Sequence, residues 1–360
     1  MGKVYKITVI GAGDRGNCYM RTIKEFHKDD VEFLGICDIL DDRAEKAFNE
    51  YGFKEKFSDY KEAITKTRPD IVIIATPAYF HCDIAAFAME NDCHVLTEKP
   101  FDLDMKKCFA LKETQKKTGK VLAIGLQYRN DKGHRAMKHL IDRKILGENV
   151  IVSYIDTREN RPKIAMHDAR YGNGGPMTDM ACHLFDLLRW FYKCDPVSVN
   201  AIWKVSAANR QNLKNIETKA PDTCVMTIEY ESGDLGVITM NWGLPTKNKE
   251  FFQSMAIGSE GFVSPRSPAE KDVVVNMGPD EMKIGTTAED DKDIRHCELA
   301  VFDHFIEEIE GTGKAQASFD EGIISLATTM AAITSGVEKR TVTIKEMLDK
   351  KPTIAECMGK

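Results

Sequence analysis

The chain has 360 residues and a formal net charge of −6, with acids and bases interspersed. That length supports two domains with a core each, and the charge pattern argues against nucleic acid or an anionic membrane as partner. No apolar run approaches the roughly 18 residues of a membrane helix. The N-terminus leads directly into a strand with no signal-peptide pattern. The ten cysteines lie in apolar surroundings without paired spacing, so reduced thiols in a cytoplasm are expected. His81-Cys82, Cys93-His94, Cys182-His183 and His296-Cys297 are neighbours, but adjacent residues on a strand or helix point apart and chelate poorly. With no C-x-x-C, no metal is expected.

The first element is Tyr5–Ile10, a β-branched run typical of a buried strand. It runs straight into Gly11, Gly13 and Gly16, the G-x-G-x-x-G spacing. Gly11 allows a tight turn, Gly13 lets the backbone approach a pyrophosphate, and Gly16 lets the next helix pack on the strand. That helix offers free N–H groups and a positive dipole end to the phosphates. Ala12, Asp14 and Arg15 share the loop. Asp14 is adverse to a pyrophosphate unless Arg15 offsets it or it turns away as a helix cap. The second strand, Val31–Cys37, ends at Asp38, 22 residues after Gly16. A carboxylate there accepts both hydroxyls of an adenosine ribose and repels a 2′-phosphate. Ile39 and Leu40 follow, with no cation to welcome that phosphate. Strand, glycine triplet and acid in this order indicate a dinucleotide site that prefers NAD to NADP.

A helix over Asp42–Tyr51, a strand over Ile71–Ala75, a helix over Ala85–Asn91 and strands over His94–Thr97 and Val121–Gly125 continue the alternation. The fold class is therefore α/β, beginning with a doubly wound parallel sheet. From about residue 127 the pattern changes. Val150–Asp156, Val197–Lys204, Thr223–Tyr230, Gly236–Trp242 and Phe252–Ile257 read as longer strands, with Glu-Ser-Gly-Asp-Leu as a hairpin signal between the third and fourth. A large, mostly antiparallel open sheet is expected. Residues 264–294 are polar and read as surface loops, and helices follow near Leu299–Glu310 and Glu321–Lys339.

Thr97-Glu98-Lys99-Pro100 follows an apolar strand. In an open α/β sheet, ligands sit beyond the carboxyl ends of strands. Lys99 is placed to hydrogen-bond a substrate hydroxyl and stabilise a developing alkoxide. Pro100 stiffens the turn and admits a cis peptide bond. Further on, Met180, Leu184, Leu187, Leu188 and Phe191 fit one apolar helical stripe. At 100° per residue, Asp179, His183 and Asp186 lie within about 60° of one another on a different face of that helix. A carboxylate four residues before an imidazole orients it and tunes its proton affinity, which suits His183 as a general base. The preceding stretch 157–173 holds Arg158, Asn160, Arg161, His167, Asp168, Arg170, Tyr171 and Asn173. Such donors suit a polyhydroxylated ligand, and the cations would also suit an acidic sugar. A solvated loop is an equal reading for any single member. Arg129 and Asn130 follow the last strand of the first sheet and are expected beside the substrate.

The glycine loop, the Thr76-Pro77-x-x-x-His81 turn, Glu98-Lys99-Pro100 and the Gly174-Gly175…Asp179…His183 segment together resemble the Gfo/Idh/MocA oxidoreductases. These comprise glucose–fructose oxidoreductase, inositol dehydrogenase and relatives. The resemblance spans nearly the whole chain. It implies a Rossmann domain over 1–126 and a substrate-binding and oligomerisation domain over 127–360, whose C-terminal helices partly pack back on the first. It implies the Lys–Asp–His set of inositol dehydrogenases at Lys99, Asp179 and His183. It adds Thr76, Pro77, His81, Glu98, Lys99 and Gln127 to the cofactor contacts. Homodimers or homotetramers formed through the open sheet are usual in the family. The chain departs from the pattern at Pro176 and at Ala78-Tyr79. The expected activity is NAD-dependent oxidation of one secondary ring hydroxyl of a sugar, a glycoside (C3 favoured) or a cyclic polyol. Inositol dehydrogenase is the alternative. Candidate substrate contacts are Lys99, Arg129, Arg158, Asn160, His167, Tyr171, Asp179 and His183. A non-catalytic NAD-binding regulator is the rival from another class, disfavoured because the lysine and the histidine are both present.

Overall fold

A computed structural model of the chain describes residues 3–161, 163–245, 247, 250–265, 272–277, 280–285 and 297–360. The first six strands are β1 (Tyr5–Ile10), β2 (Val31–Cys37), β3 (Glu55–Phe57), β4 (Ile71–Ile74), β5 (His94–Thr97) and β6 (Leu122–Ile124). They form one sheet in the order β3-β2-β1-β4-β5-β6, and every pairing is parallel. The helices between them are α1 (Asp14–Phe26), α2 (Asp41–Tyr51), α3 (Tyr60–Thr67), α4 (His81–Glu90) and α5 (Met105–Thr118). Ile7, Val9, Ile36, Ile71 and Ile73 are buried with Tyr19 and Ile23 of α1. Strands covered on both faces need such continuous apolar runs.

The remaining elements begin with α6 (Lys132–Asp142), β7 (Ile151–Glu159), α7 (Pro176–Asp179) and α8 (Ala181–Tyr192). Then come β8 (Pro196–Lys204), β9 (Thr223–Tyr230), β10 (Leu235–Leu244), β11 (Phe251–Ile257), β12 (Phe262–Pro265), β13 (Asp272–Met277) and β14 (Asp280–Gly285). The chain closes with α9 (Cys297–Glu310), α10 (Phe319–Glu338), β15 (Val342–Thr343), α11 (Ile344–Lys350) and α12 (Ile354–Cys357). A second sheet has the order β14-β13-β12-β11-β7-β10-β9-β8-β15. It is antiparallel except where β10 runs parallel to β7. The expected hairpin joins β9 to β10. The expectation of loops over 264–294 is corrected in part, because β13 and β14 pair there and extend the sheet. Residues 266–271, 278–279 and 286–294 lie outside the described residues.

Two compact units emerge. The first holds the described residues of Met1–Asp102, Lys106–Gln127 and His296–Gly322, and the second those of Leu103–Met105, Tyr128–Arg295 and Ile323–Lys360. In the first, α9 joins the core around α1 through Val301, Phe302 and Phe305, and His27 meets Asp303 at 2.7 Å. In the second, α8 lies so close to the sheet that a Cβ at Gly236 would stand 2.6 Å from Leu188 Cδ1. Strand β9 alternates: Cys224, Met226 and Ile228 are buried while Val225 is 53% exposed. One face of this sheet is packed and the other open. No helix among the described residues is long and apolar enough to cross a membrane.

The three glycines after β1 do different work. Gly11 sits at φ +103°, a region other residues rarely adopt, and a Cβ there would stand 2.6 Å from the Ala75 carbonyl oxygen. A Cβ on Gly16 would stand 2.0 Å from the Gly11 carbonyl oxygen, so the helix closes on the turn only because none is present. At Gly13 the nearest atom would be Arg43 Nη1 at 3.9 Å. Gly16→Ala is therefore expected to cost a few kcal/mol of stability, the scale of overpacking in a tight site, about 1–3 kcal/mol. Gly13→Ala should leave the unfolding midpoint within about a degree or two, since a surface change without strain costs under about 0.5 kcal/mol. Equal midpoints for the two variants in thermal unfolding would contradict this division.

Candidate functional site

In the first unit, the peptide groups of the glycine turn are held from behind. Asn17 Nδ2 donates to the carbonyls of Ala12 at 2.7 Å and Gly13 at 2.9 Å. In a trans peptide the N–H points opposite to the C=O, so the N–H groups of Gly13 and Asp14 are turned away from Asn17. Gly13 is the N-cap of α1 and Asp14 its first residue, where a carboxylate complements the positive end of the helix. Asp14 is exposed. The open space above Gly13 and the outward N–H groups fit the diphosphate of a dinucleotide.

Asp38 is built into the same turn. Its Oδ2 accepts the Ala12 N–H at 2.8 Å and its Oδ1 the Leu40 N–H at 2.9 Å. Each carboxylate oxygen has a second lone pair, so the group can still accept ribose hydroxyls. Arg15 has a different task from offsetting Asp14. Its Nε donates to Glu98 Oε1 at 2.9 Å and its Nη1 to Glu298 Oε1 at 3.0 Å. Glu98 is 2% exposed, and its other oxygen accepts the Lys99 N–H at 3.2 Å. Lys99 is half-buried just past β5, and its bond to Pro100 is cis. His81 does not present its ring to solvent. It is 1% exposed, with Nδ1 at 2.9 Å from the Pro100 carbonyl and Nε2 at 2.8 Å from the Thr76 carbonyl. Burial lowers its pKa, and the two carbonyls oppose that shift. His81 thus ties the turn after β4 to the turn that carries Lys99. Thr76 and Pro77 are half-buried and Gln127 is buried.

In the second unit, Gly174 and Gly175 take φ values of +71° and +81°, and a Cβ on Gly175 would stand 2.4 Å from Ala220 Cβ. The glycine pair is therefore required for the turn into Pro176 at the start of α7. The single helix expected from Asp179 to Asp186 is corrected. The Met180 backbone (φ −104°, ψ −42°) separates α7 from α8. The His183 N–H donates to the Met180 carbonyl at 3.1 Å, and the Asp179 carbonyl takes the Cys182 thiol at 3.3 Å. Asp179 and His183 are 6% and 3% exposed. Asp179 Oδ1 accepts Asn173 Nδ2 at 2.9 Å. The His183 ring stacks on Tyr128, with centroids 4.2 Å apart and planes 7° from parallel. Tyr128, Asn17 and the role of Asn173 escaped the sequence reading. A tyrosine after a strand or an asparagine in a helix carries no local pattern that names its partner.

Most of the donor-rich stretch is spent on the protein itself. Arg129 makes a bidentate pair with Asp186 at 2.8 and 2.5 Å, and the Asp186 side chain is 1% exposed. Breaking such a buried pair costs about 3–5 kcal/mol, so Arg129 is first a structural cation. Arg158 donates to the fully buried Asp156 at 2.7 Å and lies 4.6 Å above the Trp242 ring. Burial raises the Asp156 pKa and Arg158 opposes it. Arg161 pairs with Glu250 at 2.7 Å. Asn160 is 7% exposed and accepts Asn212 Nδ2 at 2.8 Å. His167 Nε2 lies 3.3 Å from Asn160 Nδ2 and 3.0 Å from the Arg161 carbonyl. Burial lowers the His167 pKa, against the pull of that carbonyl. Tyr171 is 59% exposed. Among the described residues, no group of three or more His, Cys, Asp or Glu is placed to hold a metal ion.

Two family profiles match the chain. Residues 5–126 match "Oxidoreductase family, NAD-binding Rossmann fold", and residues 134–264 match the GFO/IDH/MocA C-terminal domain. An inositol 2-dehydrogenase of Salmonella typhimurium is 27% identical over 63% of this chain and 64% of its own length. A D-glucoside 3-dehydrogenase of Escherichia coli is 25% identical over 54% of this chain and 56% of its own length. The chain thus spans under two thirds of either relative. In fold, it resembles levoglucosan dehydrogenase solved with NADH, with a TM-score of 0.84 at 18% identity over 95% of this chain and 99% of that one. Both sheets, the glycine turn and the two profiles agree: the chain belongs to the Gfo/Idh/MocA oxidoreductase family, with an NAD-binding Rossmann domain at its N-terminus.

Proposed function

We propose that the protein is an NAD-dependent dehydrogenase that oxidises one secondary ring hydroxyl of a neutral sugar, glycoside or cyclic polyol. C3 of a glucoside is favoured, with inositol as the alternative substrate. The observation that carries this reading is His183, buried to 3% exposure and stacked on Tyr128, with the buried carboxylate of Asp179 one helical break away. A buried imidazole near a buried carboxylate suits proton abstraction from an alcohol. In the proposed roles, His183 takes the hydroxyl proton and Asp179 orients and tunes it. Lys99 stabilises the developing oxyanion. NAD, when bound, supplies the hydride acceptor. Asp38 holds its ribose, and the N–H groups past Ala12 receive its phosphates.

The preference for a neutral ligand rests on charge. Arg129, Arg158 and Arg161 are each paired with a carboxylate, which leaves little net positive charge to select an acidic sugar. The names of both relatives fit a polyol or glycoside substrate. As a homo-oligomer, the protein would cover exposed apolar residues of the sheet's open face such as Ile202 and Val225. A cytoplasmic site of action is part of the same proposal.

His183→Ala and Lys99→Ala should each lower kcat by about 10²–10⁴-fold, the usual worth of a positioned proton-transfer group, while NAD affinity changes little for His183→Ala. A screen of sugars, glycosides and inositols for NADH formation identifies the substrate for this test. Near-normal turnover by His183→Ala would remove it as the base. NAD binding with no turnover on any substrate would favour the regulator. For the cofactor, calorimetry should give a much tighter Kd for NAD than for NADP, and Asp38→Ala should narrow the gap. That variant should also weaken NAD itself, because Asp38 holds the Ala12 and Leu40 N–H groups. Equal Kd values for NAD and NADP in the unmodified protein would contradict the assignment.

A further inference from the structure

The imidazole of His183 has two torsions, and the second is a broad sp³–sp² rotor that the helix backbone does not fix. Its ring plane must come from neighbours. The Tyr128 ring lies 4.2 Å away and within 7° of parallel. Tyr128 is itself held at both ends. Its carbonyl accepts the Asp131 N–H at 3.1 Å and lies 3.2 Å from His134 Nδ1. Its hydroxyl lies 3.8 Å from Met180 Sδ, at the break between α7 and α8. The His134 ring is 6.1 Å from it and 18° from parallel. Tyr128, His134, Met180 and His183 all belong to the second unit.

We propose that Tyr128 is the positioning residue for His183, an inference that rests on the reading of His183 as the base. The stack does two things. It fixes the imidazole plane and so the direction of the nitrogen lone pair that receives the alcohol proton. Its electron-rich face also favours the imidazolium over the neutral ring, an attraction that strengthens when the cation is desolvated. That cation exists only after proton transfer begins. The contact is therefore worth more in the transition state than in the substrate complex, and its loss should appear in kcat rather than in KM. A tyrosine that merely filled space would be replaced by an aliphatic side chain, with methionine the nearer to it in length, at little kinetic cost.

The test compares Tyr128→Leu, Tyr128→Met and Tyr128→Phe in the full-length protein, with NAD affinity as the control for folding. Both aliphatic variants should lose about 10–30-fold in kcat, the worth of a desolvated cation–π contact, with KM nearly constant. Tyr128→Phe keeps the aromatic face and should keep most of the rate. Independently of activity, NMR of protein carrying ¹³C-labelled histidine should show the His183 ring protons shifted upfield by the stacked ring, with the resonance assigned by its loss in His183→Ala. The shift should persist in Tyr128→Phe and collapse in Tyr128→Leu. Unmoved His183 resonances, or kcat unaltered in both aliphatic variants, would overturn the inference alone. Turnover surviving in His183→Ala would overturn the reading of the site and this inference with it.

Discussion

The first unit is organised around one close approach: the peptide of Gly11 against Ala75 on one side and Gly16 on the other. That contact locks β1, the turn after β4 and the start of α1 into a single piece, and the Gly11 N–H closes it onto the Cys37 carbonyl at 2.7 Å. Asp38, the next residue after β2, then reaches back to the Ala12 N–H. The carboxylate that would hold a ribose and the turn that would hold a diphosphate are thus joined by a hydrogen bond to a charged group, the stronger kind. Preorganisation of this sort removes ordering cost from ligand binding. The same piece extends through Arg15 to Glu98, so the residue before Lys99 is anchored to the glycine loop by a charge pair.

The second unit solves a harder problem, the burial of polar side chains. Asp179, His183 and Asp186 are all nearly inaccessible, and burying a charge without a partner costs far more than a hydrogen bond returns. The structure answers with Arg129 on Asp186 and Asn173 on Asp179. Arg158 does the same for Asp156, with Trp242 against its other face. The aromatic ring on His183 differs from these partners. It cannot neutralise a carboxylate, but it can orient an imidazole and tolerate its charge.

The sequence announced some of these features and hid others. The β1–turn–α1 unit and Asp38 were legible because their signal is local: apolar runs of strand length, glycines at fixed offsets and an acid at a strand end. The parallel first sheet follows from the alternation of such runs, and the β9–β10 hairpin from its turn. The break at Met180 was not legible. The apolar stripe of Met180, Leu184, Leu187 and Leu188 runs on from it without interruption, and no helix-breaking residue marks the point where the His183 N–H turns to the Met180 carbonyl. Strands β13 and β14 were missed because the stretch around them is polar on the whole, although β13 carries the run Val273–Val275 and pairs with β12 as well as with β14. The donor-rich stretch misled in another way. Residue type shows that Asn160, His167 and Arg158 can make hydrogen bonds, but not that buried partners already use them. Tyr128 lay unnoticed because its partner comes from a distant helix.

The central claim is that hydride leaves a ring carbon bearing a secondary hydroxyl. The most direct measurement is the fate of deuterium placed on that carbon: C3 of a methyl glucoside, and in parallel the ring carbons of myo-inositol, each incubated with the enzyme and NAD. Mass spectrometry should find one deuterium in the reduced nicotinamide, and NMR should find a ketone at a single ring carbon of the product. Reduced nicotinamide free of deuterium, or a lactone formed at C1, would contradict the account.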